Sequence, residues 1–404
     1  MNILVLNCGS SSVKYKLYDM RGCKSLAAGI LERIGERDSR LTHHWRAGEQ
    51  RREEQVSERP VADHREALLR IGEVLRATGV LVHPDALDGI GHRVVHGGER
   101  FREPVVITDK VMSAIREMAP LAPLHNPANL AGIEVAHDFA PRVPQVAVFD
   151  TAFHQSLPPP AYLYAIPYRC YEELQVRRYG FHGISHQYVT REAARLLGCA
   201  TDAVNLVTLH LGNGTSATAV QQGHSVDTSM GMTPLEGLVM GTRCGDLDPS
   251  IPFYLEKWAG LEPERVEALL NRDSGLKGIC GVGDMREIQQ LAETGNERAR
   301  LAIDLFCYRI RKYIGAYLAV LGKVDAVVFT GGIGENSPLI RARCCQGLEP
   351  LGIAIDGARN RGPLEPAAEI QHSRSATRIL VIRSDEEREI ARQTMARIAD
   401  TITD

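Results

Sequence analysis

The sequence predicts an α/β protein built from two related halves, and three observations carry that expectation. A chain of 404 residues is long for a single hydrophobic core, so two domains are the default. Short apolar runs that read as strands are interleaved with longer stretches of helical periodicity. The stretches "ILVLNCGSSSVKYKLYD" (residues 3–19) and "VNLVTLHLGNGTSATAV" (residues 204–220) share one plan of strand, small polar turn and second strand, as if each half offered a loop to the same ligand.

Taken in order, residues 3–6 read as a buried strand and residues 13–18 as a half-buried one. A tight hairpin needs only two turn residues, yet six small polar residues, 7–12, join these strands. Such a loop is rich in backbone N–H groups and hydroxyls, and with Ser10, Ser12 and Lys14 it suits an anion; a long solvated hairpin loop is the plain alternative. The charged segment 36–59 reads as exposed. Ala67, Leu68, Ile71, Val74 and Leu75 recur at helical spacing before Gly79, which predicts a helix over 62–78. The proline-rich joint at 151–160 reads as the linker, and an amphipathic helix is expected near Glu297–Leu321. "AVVFTGGIGENS" runs from an apolar strand into a glycine turn. The last segment, "RILVIRSDEEREIARQTMARIAD", reads as strand, acidic turn and helix, with Ser384 or Asp385 as cap and Glu386 and Glu387 in the first turn.

Composition narrows the function. With 44% hydrophobic and 24% charged residues the chain is an ordinary globular protein. A formal charge of −3 and a pI near 6.5 give no electrostatic reason to expect nucleic acid or an anionic membrane surface as partner. No basic leader precedes the first strand and no apolar run is long enough to span a bilayer, so a cytoplasmic protein is expected. Nine cysteines without a Cys-x-x-Cys pair read as reduced thiols.

Five segments place ionisable residues where strands end or loops turn: "GHRVVHGGERF", "PLAPLHNPANLAGI", "VAVFDTAFH", "RRYGFHGISHQYV" and "MGTRCGDLDPS". Their candidates are Arg93, His125, Asp150, His182 and Arg243. Singly, each has a structural explanation as ion pair, cap or loop residue. Together, two arginines, two histidines and a carboxylate are the parts that neutralise a phosphoryl group in transfer. No "GxxxxGK[ST]" loop is present and "GGIGEN" lacks the third glycine of the dinucleotide pattern, so a nucleotide is held another way. His182 and His186 lie four apart, but without a "HExxH" glutamate or a third ligand they make a weak zinc site.

The motifs "NCGSSSVKY", "GHRVVHGGE", "HNPANL", "VFDTAFH", "YGFHGISH", "HLGNGTS", "VDTSMGMTPLEGLVMGTRCGDLDP" and "FTGGIGEN" closely resemble those of the acetate kinase family, in order from residue 3 to about residue 394. The resemblance implies two duplicated actin-like (ribonuclease H-like) domains with an interdomain active-site cleft. One would comprise residues 1–152 and 385–404, on the acyl side; the other, 153–384, would bind nucleotide and form a homodimer. It also implies reversible transfer of a phosphoryl group from ATP to acetate, giving acetyl phosphate and ADP, with magnesium, for which manganese can substitute. Residue by residue, Asn7 and Glu386 would hold the metal, and Ser10, Ser12, Lys14, His210, Gly212, Asn213 and Gly214 would meet ATP phosphates. Asp284, Arg286, Gly332, Gly334 and Asn336 would lie along adenosine and ribose. Arg93 and Arg243 would hold the carboxylate and the phosphoryl group, His125 and His182 would donate hydrogen bonds to it, and Asp150 would act through the metal and the substrate carboxylate. Val95, Leu124, Phe181 and Pro234 would surround the acetate methyl. Cys8, Cys244 and Asp385 depart from the family's usual alanine, serine and asparagine, and Asp385 adds a carboxylate near the expected metal. Propionate or butyrate kinase and, more remotely, a sugar kinase or an ATP-gated binding protein of the Hsp70 and actin type are the alternatives.

Overall fold

The computed structural model describes residues 1–403 apart from Ser10, Gly48, Glu49, Glu58 and Leu124. The chain divides into two compact units, Met1–Ala152 with Asp385–Asp404, and Phe153–Ser384.

The first unit is built on an eight-stranded sheet: β1 (Asn2–Cys8), β2 (Ser12–Asp19), β3 (Lys24–Glu32), β4 (Arg40–Ala47), β5 (Gln50–Ser57), β6 (Gly89–Val94), β7 (Val105–Val106) and β8 (Gln145–Phe149), in the order β5-β4-β3-β2-β1-β6-β8-β7. The strands β1 to β5 form an antiparallel meander, β6 and β8 join β1 in parallel, and β7 pairs antiparallel at the edge. Ile3, Val5, Leu17, Ile90, Val146 and Ala147 are fully buried, as expected of strands covered on both faces.

The second unit carries β9 (Leu206–Leu211), β10 (Thr215–Gln221), β11 (His224–Thr228), β12 (Ala326–Thr330), β13 (Ala367–Glu369) and β14 (Arg378–Ile382), in the order β11-β10-β9-β12-β14-β13. Its plan repeats that of the first sheet: β9 to β11 form the meander, β12 and β14 add in parallel to β9, and β13 closes antiparallel on β14. The likeness of the two hairpin loops is therefore a likeness of whole topologies. The helix Glu297–Leu321 buries Ile303, Phe306, Ile310 and Ile314 at helical spacing against this sheet, with Asn296 capping its start by accepting from Ala299 N.

Three expectations need correction. The segment 36–59 is exposed only in part: Glu36, Arg37, Asp38 and Arg40 are exposed as expected, but the segment also carries β4 and β5, and Ser39, Leu41 and His43 are buried because alternate residues along β4 face the core. The opening loop is also shorter than six residues, since Asn7 pairs with Lys14 and Cys8 with Val13 in the ladder. The segment "GGIGEN" is a short helix, Gly331–Asn336, and not an open turn. The nine cysteines are free thiols. Among the described residues no helix is long and apolar enough to cross a membrane.

Candidate active site

In the first unit the site begins with two glycines. β6 reads "GIGHRV", and a Cβ added to Gly91 would collide with Thr394 and Ile390, while one on Gly89 would collide with Ile398. Side-chain-free positions thus let the helix Glu386–Thr403 lie directly on the strand. The consequence is chemical: the acidic N-terminus of that helix comes to the end of β6, where Arg93 stands.

Arg93 donates from Nη2 to Asp150 Oδ2 at 2.8 Å, and the Asp150 side chain is 1% exposed. Burial works against the Arg93 charge, and Asp150 and then Glu386 hold it in place. Glu386 is pushed up to about 7 by burial, against the pull of Arg93 and Lys14, with Asp150 and Glu387 pushing the same way as burial. Three carboxylates and two cations therefore share one neighbourhood, and the excess negative charge suits a cation. Among the described residues no group of three or more His, Cys, Asp or Glu is gathered to hold a metal by itself. The carboxylates of Asp150 and Glu386 are hard oxygens, which fits magnesium, an ion that keeps most of its water and takes few protein ligands, and Asn7 stands on β1 paired with Lys14. Asp385, in contrast, is occupied: its Oδ1 accepts from Lys16 Nζ at 2.9 Å, from the Tyr18 hydroxyl at 2.8 Å and from Arg388 N at 3.2 Å, the last as helix cap.

The motif "HNPANL" contributes residues that reading by charge passed over. Asn129 accepts from Val95 N at 3.0 Å and donates to Cys8 O at 2.7 Å, which ties the ends of β6 and β1 together. Asn126 accepts from His96 N and donates to His96 O. Both amides are buried, and they hold the backbone on either side of Val95. His125 precedes the helix Asn126–Phe139 at its cap position. Lys14 is exposed and Ser12 half-buried on β2, while Ser10 and Leu124 lie outside the described residues.

In the second unit the centre is His182, whose backbone is left-handed (φ 56°) at the start of the helix Gly183–Leu197. A non-glycine residue there is strained, and such strain is held where the surroundings fix a side chain for use. Tyr179 N and Gly180 N both donate to Gly231 O, which fixes the approach to the helix. The His182 ring stacks on that of His210 at 4.2 Å, and its Nδ1 lies 2.9 Å from Ser216 Oγ. A Cβ added to Gly214 would sit 3.3 Å from His182 Nε2 and 3.8 Å from Arg243 Nη1. The glycine turn at residues 212–214, His182 and Arg243 therefore meet at one point.

Among the described residues no acidic group pairs with Arg243, and burial pulls its pKa down. It is carried, with Pro234, on the irregular segment 229–249, which a half-buried clamp holds. Arg178 Nη1 donates to the carbonyls of Thr228, Ser229 and Met230, and its Nη2 meets Glu236 at 2.5 Å. Tyr164 donates to the same Glu236, and Asp246 accepts from Gly237 N at 2.8 Å and from the Tyr313 hydroxyl at 2.7 Å. Phe181 is buried beside His182, and its carbonyl lies 3.0 Å from His154 Nε2.

The remaining nucleotide candidates lie on two adjacent helices, Met285–Glu293 and Gly331–Asn336, linked where Ser337 donates to Gln289 at 3.1 Å. Asp284 and Arg286 pair with each other at the surface, Nη2 to Oδ2 at 2.6 Å. Gly332 faces open space, Gly334 is buried, and Asn336 donates to Gly332 O. Asn213 reaches back to Gly241, whose N–H donates to Asn213 O at 3.0 Å. What sequence reading missed altogether is Ser216, Arg178 and Glu236, and it weighed His186 only as a weak zinc ligand. The signal for the first was present in "TLHLGNGTSAT", where polar residues alternate along strands that are otherwise buried.

The Acetokinase family matches over residues 2–392. The chain is 56% identical to an acetate kinase of Syntrophobacter fumaroxidans over 98% of its own length and 97% of that protein's. Among solved structures it is similar to an acetate kinase of Porphyromonas gingivalis, with TM-score 0.92 at 43% identity, covering 98% of this chain and 99% of the other. It is similar to nearly the same degree to a propionate kinase of Francisella tularensis, with TM-score 0.90 at 42% identity over 98% and 99% of the two chains.

Proposed function

Because this chain belongs to the acetokinase family, we propose that it transfers the terminal phosphoryl group of ATP to acetate, reversibly, giving acetyl phosphate and ADP. The observation that carries the reading is Arg243, a half-buried guanidinium that pairs with no acidic group among the described residues, beside His182 and a glycine turn. A cation kept partly dry without a counter-ion is a receptor for an anion, and its planar fork suits two phosphoryl oxygens at once.

A carboxylate is ionised at neutral pH, so the acceptor needs no general base. The obstacle is repulsion between two anions. Arg93, oriented by Asp150, serves the acyl carboxylate; Arg243 and His182 serve the phosphoryl group as its charge redistributes. Direct in-line transfer follows, since the scheme requires no nucleophilic side chain. Asn7 and Glu386 would hold magnesium, which when bound neutralises phosphate charge. Lys14, Asn213 and Gly214 serve the phosphates, and Asp284, Arg286 and Asn336 the nucleoside. The reaction is assigned to the cytoplasm. A homodimer through the second unit is supported by Phe253, Tyr254 and Trp258, apolar side chains 68%, 63% and 67% exposed on one helix, Ser250–Ala259.

Propionate is the second reading for the acceptor, supported by the likeness to a propionate kinase. The two acids differ by one methylene, worth about 1–3 kcal/mol of discrimination. Val95, buried and branched, is proposed as the wall that excludes the longer acid. The kcat/KM ratio of propionate to acetate should therefore rise in Val95→Ala with the KM for ATP unchanged. A ratio that does not move removes Val95 from the pocket, and a wild type that prefers propionate reverses the assignment of the acid.

A further inference from the structure

We propose that Glu335 is a positioning residue that ties nucleotide binding to metal binding, because one oxygen of its carboxylate holds both the turn that opens the helix Gly331–Asn336 and Ser384, which stands just before Asp385 and Glu386. On the reading given above Asn336 serves the nucleoside and Glu386 the metal; the coupling rests on that reading and adds the residue that joins their segments.

The topology brings the two segments together. β12 and β14 are parallel neighbours, with Phe329 opposite Val381, so the chain leaves both at the same end of the sheet. After β12 it enters the helix Gly331–Asn336; after β14 it reaches Ser384, the last residue of the second unit, and then Asp385 and Glu386. In sheets of this kind ligands are held beyond the carboxyl ends of the parallel strands.

Glu335 joins these ends, although it is 49 residues from Ser384 in the chain. Its Oε1 accepts from Ser384 N at 2.9 Å and from Ser384 Oγ at 3.0 Å. The same oxygen accepts from Gly331 N at 3.0 Å, with Thr330 Oγ1 farther off at 3.4 Å. A carboxylate is the strongest acceptor a side chain offers, so one atom fixes two backbone positions. The backbone of Glu335 is itself fixed: Arg341, 4% exposed, donates from Nη1 to Gly334 O at 2.8 Å and Glu335 O at 2.9 Å, while Asn360 takes its Nε and Nη2. Gly331 has φ 78°, and a Cβ there would meet Leu211 O at 2.7 Å, so the turn also lies tight on the end of β9, where the glycine turn 212–214 begins.

Beyond Ser384 the chain is held again. Asp385 accepts from Lys16 and Tyr18, and Glu386 opens the helix Glu386–Thr403. A segment anchored this closely on either side has little slack, so firming or loosening Ser384 passes on to Glu386. A nucleotide seated along Gly331–Asn336 thus firms the segment that carries the metal ligand, and the metal in turn firms the nucleotide's seat, since coupling between two binding events is reciprocal.

The test reads amide hydrogen exchange beside steady-state kinetics, on the full-length protein. With EDTA present and ADP saturating each protein, ADP should slow exchange in the peptide spanning Ser384 in the wild type and leave it unchanged in Glu335→Ala. In kinetics Glu335→Ala should raise both the KM for ATP and the free magnesium concentration for half-maximal rate by about fivefold or more, with the KM for acetate within about twofold. Glu335→Gln keeps an accepting oxygen and should stay within about threefold of the wild type in both constants. A residue that only stabilises the fold would lower Tm and kcat with both constants unmoved, which would overturn the coupling. Protection of Ser384 by ADP in Glu335→Ala, or a rise in only one of the two constants, overturns it too. So does a Glu335→Gln variant as impaired as Glu335→Ala, which would make the charge matter and not the bridge. A separate arm isolates the premise: an unchanged magnesium requirement in Glu386→Ala would remove that residue from the metal site, while the exchange of Ser384 would still decide the bridge.

Discussion

Arg93 and Arg243 look interchangeable in the sequence and differ sharply in their surroundings. Arg93 is neutralised by Asp150 at 2.8 Å and sits near a second carboxylate, so it is oriented but already compensated. Arg243 has neither among the described residues. It is therefore the residue whose charge is most available to a phosphoryl group, and Arg243→Ala should lower kcat by roughly 10² to 10³, about 3 to 4 kcal/mol. Arg243→Lys should recover only part of that, because a point charge does not reproduce the fork. Turnover near that of the wild type in the alanine variant would remove Arg243 from the mechanism. At the same scale Cys8 is accounted for by packing: it is 3% exposed beside Gly132, and burial pushes its thiol up to about 12, so it is an inert filler at the foot of the first loop.

At the scale of elements, what the sequence made legible was what periodicity and punctuation control. The helix Glu297–Leu321 follows from a long 3.6-residue pattern, and its end coincides with Gly322. The strands β4 and β5 were not legible, because across the two of them charged residues outnumber apolar ones and no apolar alternation runs through both. The candidate residues of the site were legible as charged groups in loops. Their supports, Asn126, Asn129, Ser216, Arg178 and Glu236, were not, since a hydrogen-bonded amide or hydroxyl leaves no periodic trace. Gly91 lies between these cases: it opens the quoted segment "GHRVVHGGERF", but its place in a strand is explained only by the helix lying on it. Gly91→Val should displace the helix Glu386–Thr403 and carry Glu386 with it. The expected result is a raised magnesium concentration for half-maximal rate, as for Glu386→Ala, together with a lowered Tm. An unchanged magnesium dependence would show that the helix tolerates the added side chain.

For the whole molecule, buried histidines contribute to the response to acid, and three of them lie in the first unit. His43 hydrogen-bonds Tyr15 at 2.6 Å, His92 hydrogen-bonds Gln145 at 2.6 Å, and His96 accepts from Gly98 N at 3.0 Å. Burial first, and for His43 also His44, lowers each to about 4. Because the folded pKa lies below the unfolded value near 6.5, the unfolded chain binds more protons between the two. Stability is therefore full above about pH 6.5 and is lost as pH falls toward 4, by on the order of 3 kcal/mol for a group such as His92. Urea midpoints measured at pH 7 and pH 4.5 should fall less in His92→Gln than in the wild type; an equal fall would place the acid sensitivity elsewhere. The shared plan of the two sheets was foreshadowed by the likeness of two hairpin loops, but the sequence alone showed only the loops, because strand order depends on pairings distant in the chain. The central claim is that the acceptor is a small carboxylate and that transfer to it governs ATP use. It is tested most directly by trapping acyl phosphate as hydroxamate while following ATP loss, with acetate, propionate, butyrate or no acceptor. The expected result is hydroxamate in the order acetate, propionate, butyrate, with little ATP lost when no acid is present; ATP consumed at the same rate without an acceptor, and no hydroxamate formed, would contradict it.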